Sequence, residues 1–405
     1  MILPEYSGTS DPEMDPQPSV RGTNQRGVRA HNERLILSLL RSHGPTAKAD
    51  IARLTGLSAQ TASVIMRQLE KEGLIERCDP VRGKVGQPSV PMRLAPEGAL
   101  FLGLKIGRRS MDLVLVDFLG RTIGHRHLVH NYPEPQGTLD FVKSAVGELT
   151  APLSPRQRES IAGLGIAMPG YLWEWGKIVG EPDQKMAVWR NRDIRAEIDR
   201  LFDFPVFLQN DASCACGAEL VFGTRDFPND FLYLYVGYFI GGGIVLNGSL
   251  FTGPTGNAGA LGPLPVSVAG EKPRQLIDVA SLFILERMIE AGGGDGKSLW
   301  ELSSSWAVDR PILEAWQEQA AEGLAYAIVA SCSVIDFEVV VIDGWMPDHI
   351  RKELVALTAQ KLPGFNLTGL THPELREGSM GPDARSLGAA SLPLSQRFLV
   401  SQRGS

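Results

Sequence analysis

Between residues 33 and 42 the chain reads ERLILSLLRS, and Leu35, Ile36, Leu39 and Leu40 fall on one helical face. Gly44-Pro45 ends that helix and opens a turn. Thr46 is placed to cap a second helix, KADIARLT, which Gly56 stops. Ser58 is placed to cap a third, in which Ala62, Ile65, Met66 and Leu69 recur at i, i+3, i+4 and i+7. Its outward side carries Ala59, Gln60, Ser63 and Arg67, with Thr61 beside them. Helix, glycine turn, helix with a small polar outer face is the helix-turn-helix pattern. Two short strands follow, Leu74–Cys78 and Val90–Leu94, around a loop holding Arg82, Lys84 and two glycines. That loop reads as a wing, since glycine allows close backbone approach while Arg and Lys suit phosphate or a minor groove. A three-helix packing module has the same skeleton. The small polar face and the basic wing favour contact with DNA.

From Leu100 onward, apolar strand-like runs alternate with helical patterns, which predicts an α/β domain. Strands are expected at Ala99–Ile106, Asp112–Val116, Ile161–Ala167, Val206–Gln209, Phe231–Val236, Gly243–Leu246 and Glu338–Ile342. Helices are expected at 138–151, 190–203, 212–221, 275–292, 310–334 and 348–361. Glycine-punctuated strands near 103–107 and 237–243 suggest corresponding parts of two related lobes. The chain then divides into a disordered tail (1–28), a winged helix-turn-helix (29–95) and a large domain (96–405).

Charge sharpens that division. The net charge is −6, yet residues 21–95 hold thirteen Lys/Arg against six Asp/Glu. A basic module ahead of an acidic body fits a polyanionic partner, although a merely solvated basic surface has the same balance. Hydrophobic residues make up 43% and charged residues 21%, which excludes wholesale disorder. The four cysteines, Cys78, Cys214, Cys216 and Cys332, are too few for a disulfide scaffold and fit a reducing cytoplasm. No apolar run approaches the ~18 residues of a membrane span. The acidic start MILPEYSGTSDPEMDP lacks a signal-peptide pattern, so a cytoplasmic location is expected.

Five stretches carry a resemblance: RGTNQRGVRAHNERLILSLLR from Arg21, GLGIAMPGYL (163–172), PVFLQNDASCACGAE (205–219), YVGYFIGGGIVLNGSLFTGPTGNAGALGPLPV (235–266) and PDARSLGAASLPL (382–394). In order and spacing the chain resembles the ROK family of bacterial sugar-responsive repressors and sugar kinases. The resemblance implies an α/β fold of N-terminal winged helix-turn-helix followed by a two-lobed actin-like, ribonuclease H-like ROK domain. It implies lobes that close over a sugar, and homodimers or tetramers.

The kinase branch places G-x-D-x-G-G-T on its first strand; here Lys105 replaces the Asp, and Arg108 and Arg109 replace small residues. Its second phosphate loop resembles G-T-G-x-G-G-G; here Tyr238 and Phe239 intrude. The glycine-rich turn near adenosine reads Asp343-Gly344-Trp345. Neither nucleotide binding nor any cofactor is expected from these positions, and no catalytic residue is assigned. The sugar-site positions implied by the resemblance are Gly170, Asn210 and Asp211, with Asp211 alternatively a helix cap. The family's Glu and His stand here as Ala260 and Pro263, and a later Glu as Ile277. Asp278, Asp183, Gln184 or Tyr171 are candidate substitutes. The family's zinc cysteines are missing from 268–279. Cys214 and Cys216 are two apart on a helix, a poor metal geometry. His125, His127 and His130 show no partner set in the sequence, so no metal is expected. DNA contact falls to Gln60, Thr61, Ser63, Arg67, Arg82 and Lys84. The implied function is a sugar-responsive transcriptional regulator, a repressor of sugar transport or catabolism genes. The alternatives are a sugar kinase with a regulatory head, or a DNA-binding dimer whose large domain senses nothing.

Overall fold

The computed structural model describes residues 25–80, 90–170, 172–174, 183–223, 227–266, 273–301 and 306–400. Three helices come first: α1 (Gln25–His43), α2 (Lys48–Thr55) and α3 (Ala59–Lys71). α1 begins inside the stretch read as tail; the rest of that stretch lies outside the described residues. Ile36, Leu40, Ile51, Ala62, Ile65, Met66 and Leu69 are buried together, so the helical periodicity translates directly into a shared core. Gly56 ends α2 at φ 68, a conformation that carries no Cβ penalty for glycine. Ser58 caps α3, its hydroxyl accepting from the Thr61 amide at 3.1 Å. Thr46 does not cap α2. Its backbone pairs with Met92 through bonds of 3.0 and 2.9 Å, and Ala47 occupies the cap position without a side-chain bond. Pairing two backbone groups satisfies more of the buried chain than one hydroxyl cap would. The wing strands are β1 (Ile75–Arg77) and β2 (Met92–Leu94), antiparallel with Ile75 opposite Leu94.

The large domain holds two sheets of one topology. The first comprises β3 (Leu100–Ile106), β4 (Ser110–Val116), β5 (Thr122–Val129), β6 (Ile161–Met168) and β7 (Val206–Asn210), in the order β5-β4-β3-β6-β7. Its first three strands are antiparallel, while β6 and β7 run parallel to β3. Helix α4 (Pro135–Thr150) packs on its outer face. After α5 (Asp211–Phe222), the second sheet repeats the pattern with β8 (Phe231–Val236), β9 (Gly241–Leu246) and β10 (Ser249–Phe251). Helices α6 (Leu282–Ala291) and α7 (Arg310–Cys332) precede β11 (Val339–Gly344), and α8 (Asp348–Lys361) precedes β12 (Glu374–Glu377). The order is β10-β9-β8-β11-β12, with β11 and β12 parallel to β8. The two glycine-punctuated regions are indeed equivalent: each lies on the hairpin that opens its lobe.

Two helices run between the sheets, α5 and the terminal α9 (Ala384–Phe398), and they pack on each other and on β6 and β3. Close approach demands missing side chains. A Cβ on Gly165 would lie 1.8 Å from the Ala389 carbonyl oxygen, and one on Gly388 would lie 1.8 Å from that of Cys214. Cys214 and Cys216 are therefore small buried packing residues in this crossing; burial pushes both thiols up.

The winged unit is fused to this body. Phe101, Phe118 and Phe398 pack with ring centroids 4.9–6.0 Å apart, in the same core as Ile36 and Leu40. Arg41 on α1 donates to the Phe118 carbonyl and lies 5.6 Å from the Phe118 and Phe222 ring centroids. The Val400 amide donates to Ser38 Oγ at 3.0 Å.

Several elements depart from the sequence reading. β5, β12 and α9 were not expected. β5 (TIGHRHLV) and β12 (ELRE) are polar sheet edges without apolar alternation, and α9 is built of small residues with Pro393 inside it. The helix expected at 275–292 is broken at Ser281, whose hydroxyl accepts from the Ile240 amide and whose carbonyl accepts from Trp316. Only Ile194–Asp199 is helical within 190–203. No helix among the described residues is long and apolar enough to cross a membrane.

Candidate functional site

The first candidate surface is the outer side of α3. Gln60, Thr61 and Arg67 are exposed and Ser63 is half-buried, so the structure brings these four together. Thr61 is partly committed, since its hydroxyl shares a 2.8 Å hydrogen bond with Ser58. Arg67 lies along the helix with Nε donating to the Ser63 carbonyl at 3.3 Å. At the centre of this stripe stands Val64, 50% exposed, which the sequence reading left out. Its position at i+4 from Gln60 was the available signal. An exposed methyl-bearing residue among polar neighbours suits the thymine methyl group in a major groove. Arg82 and Lys84 lie outside the described residues. Four other cations of the unit are paired to carboxylates: Arg29 to Glu33 at 2.9 Å, Arg53 to Asp50 at 3.0 Å, Arg77 to Glu70 at 2.6 Å and Arg93 to Glu76 at 2.7 Å.

The second candidate lies at the carboxyl ends of β6 and β7, where α/β sheets present ligands. Gly170 follows β6, Asn210 ends β7 and Asp211 begins α5. A Cβ on Gly170 would stand 3.9 Å from Asn210 Nδ2, so these residues do converge. Asn210, and not Asp211, is the helix cap: its Oδ1 accepts from the Ala212 and Ser213 amides at 3.0 and 3.3 Å. Its amide nitrogen is turned to the Gly170 side. Asp211 Oδ2 accepts from Arg385 Nη1 of α9 at 3.5 Å, and its charge also acts on buried Arg108. Ile277 is buried beside Gly262, and Ala260 and Pro263 are exposed. Of the substitutes considered, Tyr171 lies outside the described residues and Asp183 and Gln184 begin a short helix. Asp278 is half-buried, its carbonyl accepting from Arg274.

Between the lobes, the positions that carry phosphate in the kinase pattern are filled by protein. Lys105 is buried and donates to Asp112 Oδ2 at 2.8 Å; burial pulls its ammonium down to about 8, against the pull of Asp112. The Arg108 guanidinium lies 4.3 Å from the Phe239 ring centroid. Arg109 lies 5.1 Å from that of Tyr238 and pairs with Glu286 at 3.4 Å. Trp345 donates from Nε1 to the Leu299 carbonyl at 2.8 Å and lies under Lys105 at 4.8 Å. Arginine and lysine over aromatic faces make attractive contacts worth about 0.5–2 kcal/mol each. The two opening hairpins are thus joined directly, one lobe giving cations and the other rings.

Comparison with known proteins accords with this architecture. Residues 101–276 match the ROK family model, and residues 29–76 match a winged helix-turn-helix DNA-binding model. The xylose repressor of Bacillus spizizenii is 28% identical over 251 residues, covering 62% of this chain and 64% of that protein. The DNA-binding transcriptional dual regulator NagC of Escherichia coli is 25% identical over 250 residues, 60% of each chain. The matched segment thus spans under two thirds of these relatives' length. Among solved structures, a ROK family transcriptional regulator, homolog of the E. coli MLC protein, aligns with TM-score 0.65 at 20% identity, covering 92% of this chain and 97% of that one. A ROK family glucokinase from Streptomyces griseus, in complex with glucose and AMPPNP, aligns with TM-score 0.57 at 20% identity over 73% of this chain and 99% of its own. With its five sequence stretches, its doubled sheet topology and these matches, the chain carries a ROK family domain with a winged helix-turn-helix ahead of it.

Proposed function

We propose that this protein is a DNA-binding transcriptional repressor of sugar transport or catabolism genes, released from its operator by a sugar or sugar derivative. The observation that carries the reading is α9. Its first turn holds Arg385 against Asp211 in the cleft. Its last turns hold Leu394 and Phe398 in the core that contains α1, α2 and α3. A helix of fifteen residues spans about 22 Å, enough to join the two sites in one rigid element. A ligand at Gly170, Asn210 and Asp211 that favours one lobe arrangement shifts DNA affinity by its differential affinity for the two arrangements. The protein acts as a homo-oligomer, because a two-fold operator needs two recognition helices at a fixed spacing. Xylose and N-acetylglucosamine repressors among the relatives support a small sugar as effector class.

We further propose that no sugar kinase activity accompanies this role. Lys105, Arg108 and Arg109 are engaged with Asp112, Phe239 and Tyr238 where phosphates would lie. The test is selection of bound fragments from genomic DNA, followed by release with a panel of pentoses, hexoses and amino sugars. Sequence-selective binding released by one sugar supports the reading. Absence of selective DNA binding overturns it, and selective binding with neither sugar release nor a sugar-induced thermal shift reduces the large domain to an oligomerisation unit.

A further inference from the structure

The register of the first sheet places three ligating side chains on one face. Asp112 on β4 stands directly opposite His127 on β5, and His125 lies two residues along the same strand. Asp112 Oδ1 is 3.0 Å from His125 Nε2 and 2.6 Å from His127 Nδ1. One ligand atom from each residue falls within 4.8 Å of the others. The sequence showed the two histidines without a partner; the partner is a carboxylate brought alongside by hairpin pairing.

We propose that Asp112, His125 and His127 form a binding site for one divalent transition-metal ion, Zn²⁺ by the chemistry of the set. Two imidazoles and one carboxylate favour zinc and its neighbours over magnesium or calcium, which need oxygen-rich cages. A tetrahedral zinc with ligands at about 2.1 Å spaces them about 3.4 Å apart, so Asp112 Oδ1, now 3.0 and 2.6 Å from the two ring nitrogens, would separate from each by under about 1 Å to admit it. The surroundings are those of a supported site. His127 Nε2 faces the Trp300 carbonyl at 3.2 Å. With an ion bound, that carbonyl would take the ring proton on Nε2 while Nδ1 exchanged its 2.6 Å hydrogen bond to Asp112 for the metal, the usual outer-shell arrangement of a metal-bound histidine. Lys105 Nζ orients the carboxylate from its other oxygen. Asp383 adds a second carboxyl whose field acts on both imidazoles and offsets part of the ion's charge. Asp112 is 4% exposed, while His125 at 24% leaves an entry path from solvent. The ion would sit at the lobe junction, since the His127 ring also stacks on Trp345 of the second lobe at 5.9 Å and 16°.

The experiment uses the untagged full-length chain, stripped with chelator and desalted. Zn²⁺ is titrated by calorimetry, and Co²⁺ by its visible absorption. The expected result is one ion per chain with micromolar or tighter affinity and a tetrahedral Co²⁺ band. His125→Gln and Asp112→Asn should each weaken binding by at least tenfold. His125→Gln replaces a side chain whose described bond is to Asp112 alone, and a thermal melt confirms that the variant is folded. Cys78→Ser, which removes the partly exposed thiol, should leave binding unchanged. No binding by the parent chain overturns the proposal. So does stoichiometric binding that persists in a folded His125→Gln, His127→Gln double variant.

Discussion

Arg67 and Val64 occupy the middle of the exposed side of α3, and their side chains contribute little to the folded core. Arg67→Ala should weaken operator binding by about 1–3 kcal/mol while leaving affinity for random DNA nearly unchanged, as measured by titration against both. Val64→Glu should lower operator affinity at least tenfold, because it sets a carboxylate against a phosphate-lined groove, with a melting temperature close to the parent's. In the cleft, neighbouring residues divide two tasks. Asn210 is the cap, so Asn210→Ala should cost about 1 kcal/mol of stability. Asp211→Asn keeps shape and removes charge. It should lower the melting temperature, because buried Arg385 loses its carboxylate, and in the folded variant it should preserve operator binding and cost about 1–3 kcal/mol of effector affinity, visible as loss of ligand-dependent DNA release below the melt. An unchanged ligand response in Asp211→Asn would remove that carboxylate from the effector site.

Among the elements, α9 bears the closest packing in the molecule's centre. Its Ala, Ser and Gly positions face α5 and the first sheet, and one methyl is already too much at some of them. Gly388→Ala should destabilise the chain by about 1–3 kcal/mol or more, because the new Cβ meets a carbonyl oxygen and not a movable side-chain end. Thermal melts of Gly388→Ala beside Gly364→Ala, where nothing stands within 4 Å, separate crowding from a general cost of replacing glycine. The same element explains why part of the fold was hidden. α9 has no broad apolar stripe because backbone contact takes the place of side-chain burial, and a search for leucines at helical spacing passes over it. β5 was hidden differently: His125 and His127 spoil an apolar alternation, and their use is visible only beside Asp112.

At the scale of the whole molecule, the two lobes meet through arginine, lysine and aromatic rings across the seam. With ATP and a panel of hexoses, a coupled phosphorylation assay should stay at background. Turnover that disappears in Asp211→Asn would overturn the reading of this chain as a repressor alone. At this seam Lys105 and Arg108 are buried and Arg109 is half-buried, and removing a partner of either buried cation would leave a desolvated charge, so these contacts act as a fixed joint and not as a loose surface pairing. The winged unit shares a core with the first lobe, so lobe geometry and helix-turn-helix orientation are parts of one packed body.

By itself, the amino-acid sequence determined the three-helix unit with the two strands after it and the doubled lobe pattern, while Gly170, Asn210 and Asp211 were singled out as a proposed site through motifs shared with the family. These rest on local periodicity, on turn chemistry at Gly56 and Ser58, and on short motifs whose residues are neighbours in the chain. Tertiary structure decided which of Asn210 and Asp211 caps the helix, because a cap depends on where backbone amides point. It decided that Thr46 joins the wing sheet, because Met92 offers two backbone bonds from forty-six residues away. It also decided what fills the seam between the lobes, through pairs such as Arg108 with Phe239 and His127 with Trp345, and it set Asp112 beside His127 within the first sheet. Their attraction depends on distance in space, which no spacing along the chain encodes.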